Sequence, residues 1–260
     1  MNRLIHFYYS VYNNFLVPDK LREYREILDL ATTHGYTFLT LEDFHRAISG
    51  NAQVQEKYII IRHDIDTDPS AALEFARAET EHGIHATYFF RLKTWDQKIV
   101  AVIKAQGHEV GYHFEEIASY AKQHRLRSAR AIEQSLPLIK AMFCKNLTSL
   151  RKHDTISSFA SHGDFANRIL GVSNSLLLQD ENLREEQGIV YEAYDEQLIE
   201  AYGTHLSDKP YPQRYSPNSP QELIKRGDSF LWLSHPRWWR RNLRGNLVEL
   251  KDRIIEGILW

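Results

Sequence analysis

Apolar residues recur along the first third of the chain with two alternating periods. Leu21, Tyr24, Ile27, Leu28 and Leu30 follow near-helical spacing and predict a helix over 19–34, with Gly35 as its stop. "YTFLTL" reads as a short strand and "LEDFHRAI" as a short helix. "KYIIIRH" is a continuous apolar run, the pattern of a parallel strand buried on both faces. Asp68 and Pro69 have the chemistry of an N-cap and a first helical turn; "SAALEFARAETEH" follows, and Gly83 suits the stop. "ATYFFRL" is the next strand, "KIVAVIKAQ" a helix capped by Asp96 and ended by Gly107, and "HEVGYHF" a third strand.

Residues 126–152 read as mostly helical, with Pro137 a candidate break. "TISSFAS" is a strand that delivers His162, while 163–187 carries no clear period. "GIVYEAY" and "AYGTHLS" are strand candidates, "SPQELIKRG" a capped helix ending at Gly227, and "SFLWLS" a last strand delivering His235. "NLVELKDRIIEGILW" is an amphipathic helix expected on the outside. Strands and helices alternating at this spacing imply right-handed crossovers and a parallel sheet or barrel.

Composition narrows the classes. The 260 residues fit one α/β barrel domain, read here as a single domain over 1–260, and 43% apolar residues suffice for a substantial core. The formal charge is 32 − 34 = −2 with no long basic run, which argues against nucleic acid as partner. Cys144 is the one cysteine, so neither a disulfide framework nor a cysteine zinc cluster is expected. No apolar run approaches the roughly 20 residues of a transmembrane segment. The start, "MNRLIHFYYSVYNNFL", is interrupted by polar residues and lacks the pattern of a secretion leader. A cytoplasmic protein is expected, with the aromatic start a lesser candidate for touching a membrane or a partner.

In a parallel α/β fold the carboxyl ends of the strands form one face, where active sites gather. The chain hands that face Asp64 and Asp66, then Arg91, then His113, Glu115 and Glu116, then His162, then His235, with Glu192 and Asp208 from two later segments. Each alone has a plainer reading: Glu115 and Glu116 as solvated first-turn residues, Arg91 as an ion-pair partner of Asp64 or Asp66, a lone histidine as a packed or surface group. His82, His124 and His153 belong in that plainer class. Carboxylate and histidines converging from separate strand ends are what a divalent metal needs.

"RHDIDTDP", "GIHATYFFRL", "GHEVGYHFE", "SHGD" and "SHPRWW" occur in an order that resembles the polysaccharide deacetylase superfamily (the carbohydrate esterase family 4 type), over roughly residues 20–240. The likeness is nearest to the branch associated with O-antigen and capsule biosynthesis. It implies a distorted (β/α) barrel of about seven parallel strands and metal-dependent removal of acetyl groups from sugars. In the family's common form one aspartate is the general base, its immediate neighbour and two histidines four residues apart hold the metal, and a late-strand histidine is the acid. This chain departs twice. Ile65 separates its aspartates, so Asp64 and Asp66 would point the same way on an extended segment. Ile117 stands four residues after His113, so the second histidine must come from elsewhere; His162 is the first candidate and Glu115 the second.

The resemblance therefore implies Asp64 as base, His235 as acid, and Asp66, His113 and His162 as ligands of a divalent cation, zinc as first choice. Arg62 and Arg91 are candidates to hold a substrate anion or to balance charge beside the aspartates. Glu115, Asp208 and Trp238 complete the candidate substrate contacts, Trp238 because a flat ring packs on sugar C–H faces. The expected substrate is an acetylated sugar or glycan intermediate, nucleotide- or lipid-linked. Two other readings stand: a sugar-binding barrel without hydrolysis, and a hydrolase of another amide or formyl bond or one that works without metal.

Overall fold

The computed structural model describes residues 5, 8, 9, 11–51 and 54–259. Nine strands make one sheet: β1 (Thr37–Leu39), β2 (Tyr58–Ile65), β3 (Thr87–Phe90), β4 (Glu109–Phe114), β5 (Ser158–Ser161), β6 (Tyr191–Glu192), β7 (Thr204–Asp208), β8 (Tyr215–Ser216) and β9 (Phe230–Ser234). Their order is β6-β5-β4-β3-β2-β9-β7-β8. All neighbours from β6 to β7 are parallel, and only β8 pairs antiparallel. β1 shares one edge of β2 with β3: it pairs with Tyr58–Ile60, whereas β3 pairs with Arg62–Ile65.

Helices α1 (Leu21–Thr33), α2 (Leu41–Arg46), α3 (Pro69–Glu81), α4 (Gln97–Ala105), α5 (Glu116–His124) and α6 (Ala129–Leu150) form in the first part of the chain. The shorter α7 (Phe165–Leu170), α8 (Glu181–Glu186), α9 (Glu196–Ala201) and α10 (Pro220–Arg226) follow, and then the terminal α11 (Leu243–Leu259). The caps are those the sequence predicts: Asp68 accepts from the Ser70 and Ala71 amides, and Asp96 from those of Lys98 and Ile99. Pro137 does not break α6. It lies on the exposed side of the helix, as does Glu133, whose carbonyl it leaves without an amide partner in the helix ladder.

Alternation along the strands sorts the core into layers. Ile59, Ile61, Tyr88, Phe90, Phe230 and Trp232 face outward and pack under α1, α3, α4 and α10. Tyr112, Phe114 and Phe159 pack under α5 and α6. On the opposite face Ile60, Phe89, Ala160, Tyr191, Leu231 and Leu233 meet in one cluster. Strands as far apart in the order as β6 and β9 contribute to that one cluster, and Arg62 of β2 reaches the Tyr194 hydroxyl just beyond β6, so the sheet curls into a distorted, incomplete barrel. Gly111 permits the tight side of that curl: a Cβ on it would run into the Phe89 ring and come within 2.6 Å of the Ser158 carbonyl oxygen.

The same alternation divides the titratable end of β2. Arg62 and Asp64 point into the barrel, and His63 points out. His63 Nε2 lies 2.6 Å from Glu79 Oε1, and the hydroxyls of Tyr24 and Tyr88 donate to the same carboxylate. Burial raises the Glu79 pKa, but His63, together with His108 and the Tyr24 hydroxyl, outweighs it and holds the carboxyl below its ordinary range. His63 Nδ1 meets Ser234 Oγ at 2.7 Å, which ties β2 to β9 just before Asp64 and His235. Nothing in the spacing of the chain signals this network, because its members come from α1, α3, β2, β3 and β9.

Candidate metal centre

The C-terminal ends of β2, β4, β5 and β9 bring the candidate residues to one place. Asp66 Oδ1 lies 3.5 Å from His113 Nε2 and 3.2 Å from His162 Nδ1, and the two nitrogens are 3.2 Å apart. An ion bound tetrahedrally at roughly 2.0–2.1 Å from each donor sets the donors about 3.4 Å apart, so the spacing fits a small divalent cation. Asp66 Oδ1 is buried and accepts no hydrogen bond of good geometry. A buried carboxylate oxygen facing two imidazole nitrogens is an arrangement that could hold a metal ion.

His113 is prepared for that role. Its Nδ1 is 2.9 Å from the Ala160 carbonyl oxygen, which can only accept, so Nδ1 carries the proton and Nε2 offers its lone pair. His162 is held through its backbone: its amide donates to the Phe114 carbonyl, and its own carbonyl accepts from Asn174 Nδ2 at 2.6 Å. Ile117 is on the buried face of α5, so the position four residues after His113 serves packing. The side chains of Asp66 and His162 keep 16% and 12% of their surface exposed, so the centre opens to solvent.

Asp64 sits beside these ligands, with Oδ2 3.6 Å from His113 Nε2. Asp64 and Asp66 thus reach the same nitrogen, as two residues of equal parity on a strand should. Arg62, 1% exposed, donates to Asp64 from Nε at 2.8 Å and from Nη2 at 2.9 Å, and also to the Tyr194 hydroxyl. Its guanidinium lies over the Phe89 and Tyr194 rings. Of the two roles weighed for Arg62, charge balance has its geometry here, and the group is buried away from any incoming substrate. Burial pushes the Asp64 carboxyl up, but Arg62 and then His113 hold it below the ordinary carboxylate value. Asp66 is held well below that value against burial, by His162 first and then His113.

His235 Nδ1 is 2.7 Å from Asp208 Oδ1, while its amide and Trp239 Nε1 donate to Asp208 Oδ2. Burial lowers the His235 pKa, but Asp208, with Asp66 and Asp64 behind it, pushes it up to about 9. The sequence offers Asp208 as a substrate contact; here it is buried under His235 and Trp239. Trp238 stacks near the His235 ring, with centroids 4.4 Å apart.

Arg91 forms a two-bond pair with Glu115, and its Nη1 donates to the Asp66 carbonyl oxygen at 3.2 Å. Glu115, His162 and Asp164 make a second carboxylate–histidine group. Its carboxylates already face cations, Arg91 and Lys122, so it is the weaker place for a metal. Glu192, another strand-end candidate, accepts from the Ser161 and Tyr194 amides and fixes the end of β5 next to His162. Tyr194 and Asn174 support the site without any sequence signal beyond their residue type.

No protein-family model matches the chain, and no curated protein does. Solved structures similar to it include IcaB from Ammonifex degensii, at 14% identity and a TM-score of 0.49, covering 69% of this chain and 80% of that one. Another is the Streptococcus pyogenes deacetylase PplD in complex with acetate, at 14% identity and a TM-score of 0.47, covering 68% and 77%. A third is a family 4 carbohydrate esterase from Streptomyces lividans in complex with acetate, at 12% identity and a TM-score of 0.42, covering 75% and 88%.

Proposed function

We propose that this chain is a metal-dependent hydrolase that removes an acetyl group from a sugar, acting in the cytoplasm on a precursor of a surface polysaccharide of the O-antigen or capsule kind. The observation that carries the reading is the convergence of Asp66 Oδ1, His113 Nε2 and His162 Nδ1 at 3.2–3.5 Å, with Asp64 Oδ2 3.6 Å from His113 Nε2 and His235 paired with Asp208 at 2.7 Å.

Asp66, His113 and His162 would hold the cation, zinc as first choice from one carboxylate and two imidazoles. When bound, such an ion acidifies water and polarises an acyl carbonyl. Asp64, kept ionised by Arg62, accepts the proton of the attacking water. His235, kept protonated by Asp208, donates to the departing amine or hydroxyl, without which an amide nitrogen would have to leave as an anion. Arg91 clamps the Asp66 backbone through its carbonyl and positions the ligand. The ring of Trp238 offers an apolar face beside the acid for a sugar.

The test is acetate release from acetylated sugar nucleotides and lipid-linked sugars by the zinc-loaded protein. Release that stops with chelator and returns with zinc is expected. Bound zinc with no release from any acetylated sugar would favour a binding protein, and release that persists in chelator would favour metal-free chemistry by Asp64 and His235.

A further inference from the structure

A cavity of about 810 Å³ lies between the helical turn Leu92–Thr94, α5 and α6, a volume in the range of small-molecule sites. It is outside the barrel, because Tyr112 in its lining points away from the interior into the layer under α5 and α6. Arg91 and Glu115 also line it, and Arg91 holds the Asp66 carbonyl, so the cavity adjoins the metal centre without containing any of the three ligands.

Cations converge on this cavity from three segments: Arg91 and Lys93 after β3, Lys122 from α5 and Lys145 from α6. The whole chain has a net charge of −2, and a second cavity of about 570 Å³ takes the opposite sign, with Glu181, Glu185, Asp195 and Glu196 around Arg184. The cations are therefore gathered locally. The two carboxylates of the lining already face donors. Glu115 is paired with Arg91. Glu116, 1% exposed, accepts from the Tyr112 hydroxyl at 2.6 Å, from Asn146 Nδ2 at 3.0 Å and from the Glu115 amide at 3.1 Å. Lys122 gives one hydrogen bond to Asp164, at 2.8 Å, and an ammonium group has three donors. Neutral polar groups stand among the cations: the Ser119 hydroxyl and the carboxamides of Gln123 and Asn146. Leu92, 42% exposed, adds an apolar wall.

We infer that this cavity binds a phosphorylated sugar, with its phosphate against Lys93, Lys122 and Lys145 and its hydroxyls against Ser119, Gln123 and Asn146. Ammonium groups are point charges suited to phosphate, and hydroxyl and carboxamide groups match the paired donors and acceptors of a sugar. A neutral sugar would make no use of the cations, and inorganic phosphate alone would fill only a small part of the volume. The C–H face of the ring packs on Leu92. This site does not rest on the hydrolase reading.

The test is a titration of the full chain with glucose 1-phosphate, and separately with glucose, followed by NMR of the backbone amides. Saturable shifts at Leu92, Ser119 and Gln123 are expected with glucose 1-phosphate, and binding weaker by about 10-fold or more with glucose. Lys93→Gln with Lys145→Gln should weaken glucose 1-phosphate binding by about 10-fold or more, and Ser119→Glu should abolish it, both with wild-type melting temperature. Lys140→Gln, on α6 but outside the cavity, should bind as the wild type does. His113→Ala, which removes a proposed metal ligand, should also bind normally, so the outcome is independent of metal and of turnover. No saturable shift at these amides, equal binding of glucose, or binding lost in His113→Ala but kept by the lysine and Ser119 variants would overturn the inference.

Discussion

His113 Nε2 and His162 Nδ1 lie 3.2 Å apart across 49 residues of chain, and Asp66 Oδ1 faces both. With the His113 Nδ1 proton committed to Ala160, that gap holds either a proton on His162 or a cation. The two compete, so zinc binding should release that proton to the buffer.

The first expectation concerns the ligands one at a time. His113→Ala, His162→Ala and Asp66→Ala should each weaken zinc binding by more than about 100-fold, beyond the roughly 10–100-fold typical of outer-shell changes. Isothermal titration of the metal-free protein measures this. Glu115→Gln, by contrast, should stay within the outer-shell range, since Glu115 is engaged with Arg91.

Asp64→Asn should keep the metal and lose turnover by about 10²–10⁴-fold, the usual range for a general base. The check is a comparison of zinc content and acetate release on the same preparation. A variant with full turnover would remove Asp64 from the reaction.

His235 should titrate near pH 9 in the metal-free protein, well above an ordinary histidine, as read by NMR of the ring protons. Asp208→Asn should bring that value down. Because the folded-state pKa is raised above the unfolded value, the pair's contribution to stability is fully present below about pH 6.5 and is lost as the pH rises through about 9. Denaturant titrations at pH 6 and pH 10 should therefore show the wild type losing more stability than Asp208→Asn.

Gly111→Ala should destabilise the protein by about 1–3 kcal/mol, the cost of overpacking, because the new Cβ has Phe89 on one side and β5 backbone on the other. Thermal melts measure it. Gly163→Ala, where a Cβ meets nothing within 4 Å, is the control and should change little.

Much of the fold can be read in local pattern. The continuous run into Arg62, the caps at Asp68 and Asp96, and the strands carrying His113, His162 and His235 are where periodicity and turn chemistry put them. Elements of two residues, such as β8, lie beneath the resolution of any period, although β6 does fall inside the strand candidate "GIVYEAY", and Pro137 is tolerated because the affected carbonyl faces solvent. The ligand set is partly legible, since strand ends in a parallel sheet share one face. The partners are less so. Nothing in spacing tells that Arg62 turns to Asp64 rather than to a substrate, that Asp208 lies under His235, or that His63 belongs to Glu79. Each pairing is set by how helices and strands stack in three dimensions.

The most direct measurement is anomalous diffraction at the zinc edge from crystals of the zinc-loaded protein. One strong peak is expected within roughly 2.0–2.2 Å of Asp66 Oδ1, His113 Nε2 and His162 Nδ1. A peak held instead by Glu115 and Asp164, or no peak among these side chains under saturating zinc, would contradict the proposed centre.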